Sequence, residues 1–107
     1  MNSITLYIIS LVNDVKKQYV GETGRPFRKR IYEHQYSITN QSTQKDTPVS
    51  RHFKSNNHSV RDMVFHVVEY CGPTSNLDNP DNFRKRREMF WIWKFSTIYP
   101  QGINMMI

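Results

Sequence analysis

Two basic residues of one predicted helix are the first whose types and spacing could carry chemistry. Arg30 and His34 stand four positions apart, so they share one face of a helix. An arginine beside an apolar stripe needs a partner, because a desolvated charge is costly when it is unpaired. Arg30 therefore either reaches out to water, pairs with a structural carboxylate or holds a functional anion. The stripe beside this pair consists of Phe27, Ile31 and Ile38, and the solvated side carries Arg28, Lys29 and Glu33.

A single carboxylate, Glu88, is the second residue that could carry chemistry. It lies where the last predicted helix changes from the basic run 84–87 to an apolar segment. An intrahelical pair with Arg84 or Lys85, worth only about 0.2–0.5 kcal/mol, would account for it without any further role. Taken alone, Glu88 therefore indicates a surface ion pair.

The composition favours a small basic domain with a polyanionic partner. The chain has 107 residues and 13% aromatic side chains, which predicts one domain whose core is anchored by a few large rings. A net charge of +6 and a pI near 9.7 favour nucleic acid over an anionic membrane surface. Cys71 is the only cysteine, which excludes an internal disulfide and a cysteine-rich zinc site and suits a reducing compartment.

The elements that position these residues begin with a predicted β-hairpin. Residues 6–12 and 17–21 are β-prone and flank a turn signal at residues 13–14. The helix that carries Arg30 and His34 begins near Pro26, since proline suits a first helical turn. The hairpin is therefore expected to lead directly into the helix with the two basic residues.

The rest of the chain predicts a short helix, a third strand and a long final helix. Residues 40–47 and 72–79 form loops, and Pro48 opens a helix that contains Val49 and Phe53 and ends at residues 56–57. Residues 63–70 are β-prone, and residues 81–98 form the last helix, whose apolar second half we expect to be buried on several sides. The order β-β-α-α-β-α predicts an α+β domain with a three-stranded antiparallel sheet flanked by helices.

The hairpin and the helix after it carry motifs that resemble those of the GIY-YIG endonuclease family. The segments 5–7, Thr-Leu-Tyr, and 19–21, Tyr-Val-Gly, are similar to the paired tripeptides of that family, and eleven residues separate them. Arg30 and His34 match the arginine and the histidine that follow the hairpin in the family. Segments 19–34 and 48–58 are particularly similar to the endonuclease domain of Penelope-like retroelements.

Two later motifs extend the resemblance over nearly the whole chain. Glu88 is followed by Met-Phe-Trp-Ile, which matches the late glutamate and the aromatic-Trp-Ile run of the family. Asn104 closes a Gly-x-Asn pattern, which is also found there. The resemblance implies a DNA endonuclease in which Glu88 ligates one divalent cation, Mg²⁺ or Mn²⁺, and Asn104 orients Glu88 or a water bound to that cation.

The resemblance also implies roles for the two tyrosines and the two basic residues. Tyr7, in preference to Tyr19, would position or deprotonate the attacking water. A tyrosine has a pKa of roughly 10, so it needs nearby positive charge to act as a base. Arg30 would supply that charge and hold the scissile phosphate through its planar guanidinium, and His34 would orient a tyrosine or contact the phosphate.

The chain departs from the family pattern in two places. Thr5 stands where the first tripeptide has glycine, and the hairpin lacks the cysteine pair that is common in Penelope-type domains. His52, His58 and the distant Cys71 do not make a tetrahedral zinc site, so we predict no structural zinc. His52 could instead touch a phosphate, although a surface histidine is the simpler interpretation.

The basic residues outside the site predict a surface that follows DNA without reading its sequence. For any one of them a solvated helix face is an equally good explanation. The main alternative function is a binding module of the same fold that no longer cleaves, and a membrane-active protein with a Trp-rich helix is a distant third. The predicted DNA-binding residues are Arg25, Arg28, Lys29, His52, Arg84, Lys85 and Arg87.

The resemblance also predicts the setting in which the domain acts. Small nuclease domains commonly take their specificity from attached domains, so we expect this domain to belong to a longer polypeptide or to act with associated domains. For a eukaryotic mobile element, the expected location is intracellular and nuclear.

Overall fold

A computed structural model of the chain describes residues 3–12, 17–39, 47–55, 59–73 and 77–105. Three strands, β1 (Ile4–Leu11), β2 (Tyr19–Thr23) and β3 (Met63–Cys71), form one sheet in the order β2-β1-β3. Both neighbours run antiparallel to the central β1. The predicted three-stranded antiparallel sheet with flanking helices is therefore confirmed.

The described ranges also contain three helices and one short 3₁₀ turn. The helices are α1 (Phe27–Thr39), α2 (Pro48–Ser55) and α3 (Pro80–Phe95), and the 3₁₀ turn Val60–Asp62, which the sequence patterns did not predict, leads into β3. The predicted turn at 13–14, the loop residues 40–46, the helix end at 56–57 and His58 lie outside the described residues. None of the helices within the described ranges is long and apolar enough to cross a membrane.

Helices cover both faces of the sheet, so β1 is buried on both sides. Alternation along the strand sends Tyr7 and Ile9 to the face covered by α1 and α2, where they pack with Phe53. Ile8 points to the opposite face and packs with Val20 and with Ile92 of α3. Four consecutive buried residues, 6–9, follow from this double cover. The sheet therefore presents one face to α1 and α2 and the other face to α3.

The last helix differs from its prediction in length and in burial. It ends at Phe95 rather than at residue 98, because Ser96 adopts a left-handed conformation with φ of 54° and closes the helix. Among its residues only Ile92 is buried, and Trp93 is 77% exposed. The expectation that the apolar half is buried on several sides is wrong, because within the described part of the chain α3 is buried along the side that faces the sheet.

Candidate active site

The hydroxyl group of Tyr7 joins the two basic residues of α1. It accepts a hydrogen bond of 3.0 Å from Nε of Arg30 and lies 2.7 Å from Nε2 of His34. Arg30 also donates from Nη1 to Glu33 at 3.1 Å. The spacing that placed Arg30 and His34 on one helix face thus brings both to the same atom of β1. We call these three side chains the tyrosine–arginine–histidine unit.

Burial sets the protonation states within this unit. It raises the pKa of Tyr7 above the ordinary tyrosine value, and the positive charge of Arg30 offsets only part of that rise. Burial, with the positive charge of Arg30, lowers the pKa of His34 to about 4. At neutral pH the phenol therefore keeps its proton and the imidazole is neutral. In that state Tyr7 can donate its proton to Nε2 of His34 while it accepts from Arg30.

Gly21 is the residue that makes room for the Tyr7 hydroxyl. A Cβ atom at this position would lie 2.5 Å from both the hydroxyl oxygen and the adjoining ring carbon of Tyr7. No real Cβ contact is that short, so only glycine lets β2 pass so close to the phenol. The glycine of the Tyr-Val-Gly segment is therefore explained by the position of Tyr7 on the neighbouring strand.

Tyr19 also contacts the imidazole. Its ring packs edge-on against His34, with the centroids 5.9 Å apart. Tyr19 is partly buried, whereas Tyr7 has no exposed surface. Burial, and then the negative charge of Glu88, raises the pKa of Tyr19. The two tyrosines thus contact the same histidine, and the negative charge of the predicted metal ligand Glu88 acts on Tyr19.

The predicted metal ligand has an acidic neighbour that sequence reasoning missed. Glu22 follows Gly21 on β2 and points to the α3 face, where Glu88 is half-buried. Burial raises the pKa of Glu88, and the negative charge of Glu22 raises it further. The pKa of Glu22 is raised as well, chiefly by burial. The alternation of side chains along β2 could have predicted this neighbour, because it places Glu22 on the face of the sheet opposite Tyr19.

These two carboxylates, which we call the carboxylate pair, fit a divalent cation. Within the described part of the chain, Oε2 of Glu22 is buried without a hydrogen-bond partner, although Nε of Arg84 lies 2.5 Å away as an ion pair outside hydrogen-bonding geometry. Half-buried acids with raised pKa values and an unsatisfied oxygen gain most from a nearby positive charge. Mg²⁺ is commonly held by one or two carboxylates, so this donor set suffices. No larger group of His, Cys, Asp or Glu with the spacing for a metal occurs among the described residues.

Asn104 lies close to the site but does not orient Glu88 in this structure. Its Oδ1 accepts from the backbone N–H of Val20 at 2.8 Å and from Oγ1 of Thr97 at 2.7 Å. Its Nδ2 donates to the carbonyl oxygen of Val20 at 2.9 Å. The buried amide therefore clamps β2 at the residue between Tyr19 and Gly21. The structure gives Asn104 a positioning contact with the strand rather than the expected contact with Glu88.

The predicted DNA-binding residues divide into exposed and paired side chains. Arg28, Lys29 and Lys85 are exposed. Arg25, also exposed, contacts Glu33 at 2.6 Å. Arg84 and Arg87 are partly buried and form ion pairs within the chain, with Glu22 and Glu69 respectively. These two arginines therefore hold α3 against the sheet, whereas the exposed ones are placed to meet a ligand.

His52 lies in a different part of the molecule. It packs edge-on against Phe53 and lines a cleft of about 300 Å³ together with Lys17, Arg51 and Tyr99. None of the residues that line this cleft belongs to the tyrosine–arginine–histidine unit or to the carboxylate pair. The structure therefore does not bring His52 into the candidate active site.

The candidate active site thus lies where α1, the edge strand β2 and α3 meet. The tyrosines, Arg30 and His34 lie on one side of the sheet at its β2 edge, and the carboxylate pair lies on the other side. The positive charge of Arg30 acts to lower the pKa of both acids, although each pKa is raised overall. Comparison of the chain with protein-family models, with curated proteins and with solved structures found no match.

Proposed function

We propose that this chain is a divalent-metal-dependent endonuclease of the GIY-YIG type, which hydrolyses phosphodiester bonds in DNA. The observation that supports it is the meeting of two groups at the edge of β2. One is a tyrosine hydroxyl bonded to an arginine and a neutral histidine, and the other is a pair of half-buried acids. Phosphodiester hydrolysis needs a proton acceptor, a phosphate-binding cation and charge stabilisation, and these groups can supply all three.

The tyrosine–arginine–histidine unit would take up the proton of the attacking water. In hydrolysis the water oxygen forms a bond to phosphorus, and the bond from phosphorus to one ester oxygen breaks. The ester oxygen leaves with the electron pair and takes up a proton from solvent water. Tyr7 accepts the proton of the water as its own proton passes to Nε2 of His34, 2.7 Å away. Because Tyr7 has no exposed surface in the free chain, substrate binding must open a path to its hydroxyl.

Arg30 is the residue suited to hold the scissile phosphate. Tyr7 and Glu33 occupy two of the five N–H groups of its guanidinium in the described part of the chain, which leaves donors for phosphate oxygens. Glu22 and Glu88 would hold the cation, which, when bound, supplies the positive charge that stabilises the phosphoryl and leaving oxygens. Lys29 and Arg28, on the outer side of the same helix, would follow the DNA backbone.

Nicking of a supercoiled plasmid in Mg²⁺ or Mn²⁺ tests this proposal. We expect the wild-type chain to nick the plasmid, EDTA to abolish nicking, and Glu88→Gln to slow it about 100- to 1,000-fold, because one stabilising interaction with the reacting charge is lost. Asp78→Asn is the matched control, since it removes an exposed acid just before α3 with the same change of charge. It should nick at the wild-type rate.

Two results would contradict the nuclease proposal. A folded wild-type chain that binds DNA but nicks neither plasmid nor branched DNA would be a binding module instead. A Glu88→Gln variant as active as Asp78→Asn would show that Glu88 takes no part in cleavage. Folding of each variant is checked first by its thermal unfolding curve.

A further inference from the structure

Two tyrosines on the outer face of α1 are exposed and stacked on each other. Tyr32 and Tyr36 lie one helical turn apart and are 65% and 49% exposed. Their ring centroids are 6.1 Å apart and the ring planes differ by 22°. Two large aromatic side chains on the surface of a small domain leave much apolar area in contact with water. Their flat, aligned faces suit a ligand that is itself flat.

Two basic side chains lie beside Tyr32. Arg28 lies one turn before Tyr32, and Lys29 follows it on the same outer side. Together with Tyr32 and Glu33 they line a shallow cleft of about 540 Å³. We call Arg28, Lys29, Tyr32 and Tyr36 the aromatic–basic face. It combines aromatic ring faces with cations, which is the combination that binds a strand carrying both bases and phosphates.

One carboxylate joins the aromatic–basic face to the candidate active site. Oε1 of Glu33 accepts from Arg25 at 2.6 Å and from Arg30 at 3.1 Å, so one carboxylate connects the outer face of α1 to the arginine bonded to Tyr7. A strand bound along the outer face would therefore have to pass around α1, over Glu33, to bring a phosphate to Arg30. The face and the site are two sides of a single helix.

We propose that the aromatic–basic face binds an unpaired stretch of DNA that continues around α1 to the scissile bond. In a duplex the bases already stack on each other, so a surface aromatic ring finds no base face to contact. An unpaired base has that face free, and Tyr32 and Tyr36 stack on it while Arg28 and Lys29 bind the neighbouring phosphates. The inference rests on the proposed nuclease function and specifies its substrate as DNA with single-stranded character.

Binding of three oligonucleotides of equal length to the wild-type chain in EDTA tests this inference. The probes are a fluorescent thymidine strand, a strand of abasic sites with the same number of phosphates, and a duplex. We expect the thymidine strand to bind about tenfold more tightly than the abasic strand, because stacking adds to the same electrostatic attraction. Replacement of both Tyr32 and Tyr36 by alanine should remove this preference, whereas replacement of both by phenylalanine should keep it.

Tyr70→Ala is the matched control, because Tyr70 is 65% exposed on β3, on the opposite edge of the sheet from β2. It should leave the preference unchanged. Equal affinity of the wild type for thymidine and abasic strands, or an equal loss in Tyr70→Ala, would overturn the inference. Since EDTA prevents metal-dependent cleavage, this result is independent of nicking. A chain that prefers the thymidine strand but never nicks would refute the nuclease proposal and leave the binding face standing.

Discussion

The two edge strands of the sheet each carry a glutamate that faces an arginine of α3, and the two glutamates are in opposite states. On β3, Glu69 accepts hydrogen bonds from Arg87, from Nε1 of Trp91 at 2.7 Å and from the thiol of Cys71. Burial alone would raise its pKa, but the donors from Arg87 and Trp91 lower it overall. On β2, Glu22 has a raised pKa and an oxygen without a hydrogen bond among the described residues.

The difference separates a fully bonded acid from the acid that we propose takes part in the reaction. Glu69 has donors on both oxygens, so it ties β3 to α3 and has little to gain from a further cation. Glu22 and Glu88 repel each other in a half-buried setting and would be relieved by a positive charge. Perturbed acids in this state are typical of functional sites, whereas ion pairs such as Glu69–Arg87 are typical of structural support.

Gly21 and Gly72 give the largest expected contrast between the two edges. Gly21→Ala would place a Cβ atom against the Tyr7 ring, so we expect a loss of about 2 kcal/mol or more in the free energy of unfolding, in the range of overpacked cores, and loss of nicking. Gly72→Ala, just after β3, meets no atom within 4 Å and should change neither. Urea unfolding and plasmid nicking of both variants measure this. Equal stability of the two variants would show that the contact with Tyr7 is easily relieved.

Removal of each edge glutamate should change stability in different ways. Glu69→Gln weakens charged hydrogen bonds to Arg87 and Trp91, so we expect it to lose about 1–2 kcal/mol at pH 7. Glu22→Gln removes the ion pair with Arg84, but also a charge that burial disfavours and Glu88 repels, and the raised pKa of Glu22 shows that the unfavourable effects outweigh the ion pair. We therefore expect a smaller loss than for Glu69→Gln at pH 7, or none. Urea unfolding at pH 7 compares the two variants directly.

The contributions of Glu69 and Glu22 to the free energy of unfolding should change with pH in opposite directions. The pKa of Glu69 is lowered from 4.5, so its contribution is present above pH 4.5 and disappears as the pH falls through the lowered folded-state pKa. The pKa of Glu22 is raised, so its penalty is present at pH 7 and disappears as the pH falls through the raised folded-state pKa. A Glu22→Gln variant that loses as much stability as Glu69→Gln at pH 7 would erase the distinction between the two edges.

The sequence patterns were sufficient to predict most strands and helices and the shared helix face of Arg30 and His34. Period-two and period-3.6 patterns are local, so the strands, the first two helices and the shared face of Arg30 and His34 followed from them. Glu22 was also within reach, since alternation after Tyr19 sends it to the α3 side. The spacing between Tyr7 and Tyr19 pointed to neighbouring strands, but only the register shows Tyr7 opposite Gly21.

Long-range contacts account for the features that the sequence patterns did not predict. The burial of α3 depends on how many elements cover it, and Phe90, Trp93 and Phe95 stay exposed because they point away from the sheet. The pairing of Arg84 and Arg87 depends on acids more than fifteen residues away in sequence. Asn104 contacts a strand 84 positions earlier, a distance over which a motif says nothing about the partner.

The most direct test of the account is the nicking rate of Glu22→Gln beside that of Glu69→Gln, at concentrations of folded protein matched by unfolding curves. Glu22 acts at the site if the carboxylate pair holds the cation, whereas Glu69 only supports the fold. We predict that Glu22→Gln slows metal-dependent nicking about 100-fold and that folded Glu69→Gln nicks at the wild-type rate. Wild-type nicking by Glu22→Gln would contradict the assignment of the β2 edge as the catalytic centre.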